Sequence, residues 1–150
     1  MKTAELLARK PTSIVCVNPG ESLRKCVDLM NERRIGALMV MNDGDGAVAG
    51  ILSERDILRN RCEANSEDCT MTAQDIMTPA DKLVTATADT RIDDVMSMMT
   101  ENKVRHLPVM EGNALKGIIS IGDVVKALLD AALEENKNMK EYMFGRDPVL

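Results

Sequence analysis

Two stretches of the sequence place a hydroxyl group and a carboxylate where one small ligand could contact both. Ser120 follows an apolar pair that is typical of the end of a buried strand, and Asp123 falls in the first turn of the helix predicted next. Ser53 and Asp56 repeat this arrangement earlier in the chain. A neighbouring hydroxyl and carboxylate can together bind the two adjacent hydroxyl groups of a sugar.

The same pattern also has a purely structural interpretation. A serine before a helix, with an acid at the third helical position, forms a capping box that satisfies backbone N–H groups. For a single copy this interpretation is favoured. Two copies in matching surroundings favour the ligand-binding interpretation instead.

The surroundings of the two pairs match because the chain contains an internal repeat. Residues at i, i+3, i+4 and i+7 predict one apolar helix face near 22–34, and the same face recurs 69 residues later. A β-rich run precedes each helix, at 14–17 and 83–86, and two strands joined by a turn follow it. From the second strand onward the offset is 67, so the second turn is two residues shorter, which a structural repeat tolerates.

This repeated order of strand, helix, strand, strand, helix resembles the tandem cystathionine-β-synthase (CBS) domain, or Bateman module. The resemblance covers about residues 11–130, and its motifs are residues 103–109, residues 117–120 with Asp123, residues 53–58 and residues 77–79. It implies an α+β fold in which two βαββα repeats, related by a pseudo-twofold axis, pack sheet to sheet. We expect a short N-terminal helix at 1–10, repeats at 11–62 and 77–133, a linker at 63–76 and a C-terminal tail at 134–150. A long helix is expected to begin after Asp123 and to run into this tail.

The resemblance also implies a ligand, because such modules bind adenosine-containing molecules such as AMP, ADP, ATP, NAD or S-adenosylmethionine in clefts between the repeats. The two Ser/Asp pairs then hold ribose. Candidates to contact adenine are Ile14, Ile35, Leu83 and Val104, and candidates to contact phosphate are Arg55, Lys103, Arg105 and His106. Among these molecules we expect AMP to be the ligand, and we expect it to act as a regulator and not as a catalytic cofactor.

Composition argues against several other functions. A net charge of −5 and 1% aromatic residues disfavour a general nucleic-acid binder. One histidine, with no phosphate-binding loop and no metal-ligand spacing, predicts neither a catalytic nor a metal site. Without an apolar run of roughly 18 residues or a secretory signal, the chain is expected in the cytoplasm. The expected output is a conformational change read by an effector protein, from a homodimer that contacts through the repeat helices.

Two alternative functions remain open at this point. One is a protein-interaction module that uses no ligand, and the other is a thiol-linked redox regulator that uses Cys62 and Cys69 in the linker region. Cys16 and Cys26 are predicted to face the core. The C-terminal Tyr142, Met143 and Phe144 either fold back on the core or cross a partner subunit.

The two clefts are predicted to be unequal because the repeats diverge at charged positions. The second repeat carries Arg105 and His106 where the first has Gly36 and Ala37. Conversely, the first repeat has Arg55 next to its acid, where the second has a glycine. One cleft should therefore hold a phosphorylated nucleotide more tightly than the other.

Overall fold

The computed structural model describes residues 1–10, 14–60 and 69–145. The first half contains α1 (Thr3–Arg9), β1 (Cys16–Val17), α2 (Leu23–Arg33), β2 (Ala37–Met41), β3 (Val48–Ser53) and α3 (Glu54–Arg59). The second half contains α4 (Ala73–Ile76), β4 (Thr78–Pro79), a 3₁₀ turn (Ala80–Lys82), α5 (Ile92–Asn102), β5 (His106–Glu111), β6 (Ala114–Ser120) and α6 (Ile121–Phe144).

The described strands form two sheets, one for each repeat. The first has the order β1-β2-β3-β4, with β1 parallel to β2 and the other pairs antiparallel. The second is the β5-β6 hairpin, to which Ala86 adds a single parallel bridge opposite Val109. The strand predicted at 83–86 is thus reduced to one bridging residue, and β4, from the start of the second repeat, joins the first sheet.

Three apolar clusters hold the fold together. In the first repeat α2 packs on its sheet through Leu23, Cys26 and Met30, and in the second α5 does so through Ile92, Val95 and Met99. The third cluster lies between the sheets and joins Ala37, Met39 and Ile51 to Leu115 and Ile118. The α+β fold with two repeats packed sheet to sheet is therefore confirmed.

The helix that precedes each repeat packs on the other repeat. The backbone N–H and Oγ1 of Thr3 both donate to the Thr90 carbonyl, at 2.8 and 2.7 Å, and Leu6 is buried in the second cluster. In the same way α4 is tied to the first repeat, where the Ala73 N–H donates to the Glu21 carbonyl at 2.9 Å. Because α1 packs on the second repeat, its C-terminal end lies next to the Ser120/Asp123 pair.

The C-terminal helix continues to Phe144, well past the residues that pack on the core. Tyr142, Met143 and Phe144 are 92%, 74% and 79% exposed, so these three side chains do not fold back on the core. Val125, Leu129 and Leu133 add exposed apolar side chains nearer the start of the helix. In the described part of the chain, no helix has the length and apolar character to cross a bilayer.

The cysteine prediction is correct for one of its two core positions. Cys26 is buried, and burial raises the pKa of its thiol to about 11, which leaves it unreactive at neutral pH. Cys16 is exposed instead, because the two-residue strand β1 turns Val17 toward the core and Cys16 away from it. Cys62 lies outside the described residues.

Candidate ligand-binding clefts

Two cavities of similar size lie between the repeats, and each contains one Ser/Asp pair. The first, which we call the Asp123 cleft, has a volume of about 390 Å³. Three segments form it. They are the corner where β6 meets α6 in the second repeat, the junction where α2 meets β2 in the first, and the end of α1. Its lining residues are Leu7, Lys10, Ile14, Val15, Arg34, Ile35, Gly36, Ala37, His106, Lys116, Gly117, Ile118, Ser120 and Asp123.

Ser120 and Asp123 form a capping box at the start of α6. The Ser120 N–H donates to Asp123 Oδ2 at 2.9 Å, and the Asp123 N–H donates to Ser120 Oγ at 3.2 Å. The same Oδ2 also accepts a hydrogen bond from Lys10 Nζ at 2.7 Å. Burial tends to raise the pKa of Asp123, but the hydrogen bonds from Lys10 and Ser120 outweigh it and hold the pKa below its ordinary value.

The second cavity, the Asp56 cleft, also has a volume of about 390 Å³. Here the first repeat contributes the corner where β3 meets α3, and the second repeat contributes the junction where α5 meets β5. Its lining residues are Gly36, Ile51, Ser53, Glu54, Arg55, Asp56, Arg59, Thr78, Asn102, Lys103, Val104, Arg105 and His106.

Ser53 and Asp56 form the matching capping box at the start of α3. The N–H and the Oγ of Ser53 both donate to Asp56 Oδ2, at 2.9 and 3.0 Å. Among the described residues, no lysine or arginine lies within 4.0 Å of this carboxylate. The capping interpretation is therefore correct for both pairs, and both carboxylates also line a cavity of ligand size.

The junctions carry a basic residue into each cleft in the same backbone conformation. Arg34 and Lys103 end α2 and α5 with left-handed φ angles of 54° and 53°. In the Asp56 cleft, Arg55 Nη1 also donates to the Lys103 carbonyl at 3.4 Å, which joins the two repeats across the cavity. With Arg105 this cleft collects cations from both repeats, as an anionic ligand would require.

His106 forms part of the wall that separates the clefts, since it lines both cavities. A Cβ atom at Gly36 would lie 3.2 Å from His106 Cε1, so a side chain here would push the imidazole away by a few tenths of an ångström. Burial lowers the pKa of His106, and Lys10 and Arg105 act in the same direction, while Glu54 and Asp123 oppose them. The imidazole therefore responds to charges in both clefts.

The structure brings together most of the residues that the sequence proposed for the site. Ile14 and Ile35 line the Asp123 cleft, whereas Val104, Lys103, Arg105 and Arg55 line the Asp56 cleft. Leu83 does not line either cavity and packs against the cluster between the sheets.

Sequence reasoning missed Lys10, Leu7, Ile51, Ile118, Thr78, Glu54 and Arg59. The repeat offset could have found two of these residues, because Ile51 and Ile118 are equivalent positions two residues before each serine. Both also pack in the cluster between the sheets. Lys10 has no such signal, since the equivalent position in the second repeat is Pro79.

Comparison with protein families gives a match over most of the chain. The model of the CBS domain matches twice, at residues 7–63 and 73–130. The CBS domain-containing protein CBSX3, mitochondrial, of Arabidopsis thaliana is 36% identical over 126 residues, which cover 83% of this chain and 61% of that protein. The chain thus spans less than two thirds of the length of this relative.

Solved structures give the same result. A CBS-domain containing protein of Agrobacterium tumefaciens superposes with a TM-score of 0.77 at 35% identity, over 85% of this chain and 98% of that chain. The structure of CBSX2 in complex with AMP superposes with a TM-score of 0.70 at 25% identity, over 87% of this chain and 98% of that chain.

Proposed function

The chain belongs to the family of CBS-domain proteins and carries two such domains, and we propose from this that it is a regulatory module that binds adenosine-containing nucleotides in both clefts. The observation that carries the proposal is the repeated pairing of a Ser/Asp corner with a cavity of about 390 Å³. That volume is within the usual range for small-molecule sites. The structure of CBSX2 in complex with AMP supports this class of ligand.

In this proposal the two carboxylates hold the ribose. Asp56 and Asp123 accept hydrogen bonds from the 2′ and 3′ hydroxyl groups, and Ser53 and Ser120 complete the contact. A hydrogen bond to a charged group contributes about 1.5–3 kcal/mol. A deoxyribose would lose one of these bonds, so the pairs select for ribonucleotides.

The apolar walls provide the place for adenine. Ile14, Ile35 and Ile118 lie together in the Asp123 cleft, and Val104 and Ile51 line the Asp56 cleft. Leu83 lines neither cavity and is not part of these walls. Aliphatic side chains on both faces of a purine stabilise it by apolar burial.

The basic groups favour a phosphorylated ligand, with AMP as the first candidate. Arg55, Lys103 and Arg105 converge in the Asp56 cleft, and His106 reaches both cavities. Arginine can bind phosphate through two parallel hydrogen bonds, so we expect the arginines of this cleft, including Arg105, to contact the phosphate.

The proposed output is regulatory and not catalytic. Each cleft is built from both repeats, so a ligand that favours one angle between the repeats shifts the module toward that state. An effector protein then reads the change. Of the alternatives, a ligand-independent interaction module predicts no nucleotide binding, and a redox regulator predicts a response to mild oxidation that requires Cys62 and Cys69.

We also propose that the module is a homodimer. The exposed Val125, Leu129 and Leu133 recur every four residues along α6 and would lie on one helix face. A second copy of that face would bury them, and Tyr142 and Phe144 could then cross the partner. Light scattering should give twice the 16.5 kDa chain mass, and a monomer at working concentrations would contradict the proposal.

A thermal-shift screen of adenosine, AMP, ADP, ATP, NAD and S-adenosylmethionine tests the function, with GMP as the base control. A ligand at 100 times its Kd should stabilise the protein by about 2.7 kcal/mol. The double variant Asp56→Asn with Asp123→Asn should lose this stabilisation. The matched control is Asp94→Asn, which changes an exposed carboxylate that lines neither cleft. If no adenine compound stabilises the wild-type protein, the proposed function is wrong.

A further inference from the structure

Lys10 occupies the Asp123 cleft as an internal cation. Its Nζ lies 2.7 Å from Asp123 Oδ2 and donates to the Ile118 carbonyl at 2.8 Å. The side chains of Lys10 and Asp123 are only 32% and 23% exposed, so this ion pair is partly shielded from solvent. The carboxylate assigned to ribose is therefore already paired with a charged group of the same chain.

We propose that Lys10 exchanges partners when a nucleotide enters this cleft. In the empty cleft Lys10 neutralises Asp123. With a nucleotide bound, the ribose hydroxyls replace the ammonium group on Asp123, and Lys10 moves to the phosphate. The inference rests on the proposed function and adds a specificity-determining residue to it.

The position of Lys10 allows this movement. Lys10 is the residue that caps the C-terminal end of α1, while the hydrogen bonds that anchor this helix come from Thr3 and Ala4 at its other end. A lysine side chain is long and flexible, and its ammonium group can direct its donors to a new acceptor without backbone movement. The exchange therefore leaves α1 in place.

The phosphate that Lys10 would contact is expected beside His106. Lys10 and Asp123 both lie close enough to the imidazole to change its pKa. The other cations that line this cleft are Lys116, which pairs with Glu111 at 3.1 Å, and Arg34, which enters from the first repeat. Lys10 thus contacts the ribose carboxylate directly and lies near the imidazole beside which the phosphate is expected.

The Asp56 cleft shows what the ion pair changes. There Asp56 Oδ2 accepts a hydrogen bond from the hydroxyl group of Ser53, whereas Asp123 Oδ2 accepts one from the ammonium group of Lys10. A ribose at Asp56 displaces a neutral hydroxyl. A ribose at Asp123 displaces a cation, which only a ligand with a phosphate can give a new partner. The ribose contacts are the same for AMP and adenosine and cannot distinguish them. The Asp123 cleft should therefore prefer AMP over adenosine because of Lys10.

Calorimetric titration of Lys10→Met in an Asp56→Asn background tests the exchange, because that background leaves the Asp123 cleft as the stronger site. Adenosine should bind several-fold more tightly than in the Asp56→Asn parent, and AMP several-fold more weakly. The ratio of AMP to adenosine affinity should fall at least tenfold. Lys10→Arg should keep the ratio, and the control Lys126→Met, which neutralises an exposed lysine outside both clefts, should change it less than twofold.

The outcomes separate this inference from the proposed function. Binding of both ligands with an unchanged affinity ratio in Lys10→Met would show that Lys10 only supports the fold, and the exchange would be wrong. Equal weakening of both ligands has the same meaning. If neither ligand binds the wild-type protein, the proposed function fails and the exchange fails with it.

Discussion

The Asp123 and Asp56 clefts have the same corner and different walls. Each corner is a capping box in which a serine and an aspartate share hydrogen bonds at the start of a helix. The walls differ in charge, because Asp123 is paired with Lys10, whereas Asp56 faces a cavity that Arg55, Lys103 and Arg105 line. The repeat thus preserves the part that would bind ribose and varies the part that would bind phosphate.

This difference shows how one duplicated unit can yield two sites of unequal strength. The cations of the Asp56 cleft come from both repeats and are available to a ligand. In the Asp123 cleft Lys10 and Lys116 are held in ion pairs within the chain, so a ligand must break a pair before it gains either of them, and Arg34 is the remaining cation. We therefore expect AMP to bind more tightly in the Asp56 cleft.

The largest expected effect is on stability, and it compares the contacts around two equivalent glycines, one in each repeat. Gly50 and Gly117 are equivalent, but a Cβ at Gly50 would overlap the Thr78 carbonyl oxygen, while one at Gly117 would lie 2.7 Å from the flexible Leu7 side chain. Gly50→Ala should lower the free energy of unfolding by about 2–3 kcal/mol, and Gly117→Ala by about 1 kcal/mol. Urea denaturation measures both losses in the free energy of unfolding. Equal losses would mean that the surroundings of the two glycines are equally rigid.

The next effect concerns the phosphate. Arg105→Ala, in an Asp123→Asn background, should weaken AMP at the Asp56 cleft at least tenfold, about 1.4 kcal/mol, because the guanidinium contact is lost. Adenosine affinity should change less than twofold. Arg24→Ala, which removes an exposed arginine that lines neither cleft, is the matched control. An equal loss for AMP and adenosine would assign Arg105 to the fold or to the base pocket.

The smallest effect is a pH dependence at His106, the only histidine in the chain. Burial lowers its pKa in the folded protein below the ordinary value near 6.5, so the unfolded state binds a proton more readily. This residue's contribution to stability is present above pH 6.5 and declines as pH falls toward the lower folded pKa. His106→Asn should flatten this decline in urea denaturation series, and an unchanged slope would contradict the assignment.

The same residue reports on the ligand. A phosphate beside the imidazole favours its charged form, so AMP should raise the pKa of His106, while adenosine should not. Titration of the imidazole proton signals by NMR measures both cases without ambiguity of assignment. Equal pKa values with the two ligands would place the phosphate away from the wall between the clefts.

Local patterns in the sequence were sufficient to predict the duplicated elements. Helix periodicity located α2 and α5, and the Ser/Asp spacing located both corners, because each depends on residues that are near one another in the chain. The predicted strand at 83–86 is reduced to the bridge between Ala86 and Val109. Local spacing does not distinguish it from the equivalent run at 14–17, in which Cys16 and Val17 do pair with β2.

Contacts between the repeats could not be predicted in the same way. Lys10 meets Asp123 across 113 residues, since α1 packs on the second repeat and not on the first. The sequence marks Gly36 only as a position without charge, whereas in the structure its lack of a side chain leaves room for His106. Such contacts depend on how the repeats pack, which neither spacing nor composition encodes.

The most direct test of the unequal clefts is calorimetric titration of AMP into the wild-type protein, Asp56→Asn and Asp123→Asn. Asparagine keeps the shape of the capping box but removes the charge shared by the ribose hydroxyls. The wild type should show two sites of different affinity, Asp56→Asn should weaken the tighter site at least tenfold, and Asp123→Asn should change only the weaker site. Two identical sites in the wild type, or affinities that neither substitution changes, would contradict the account.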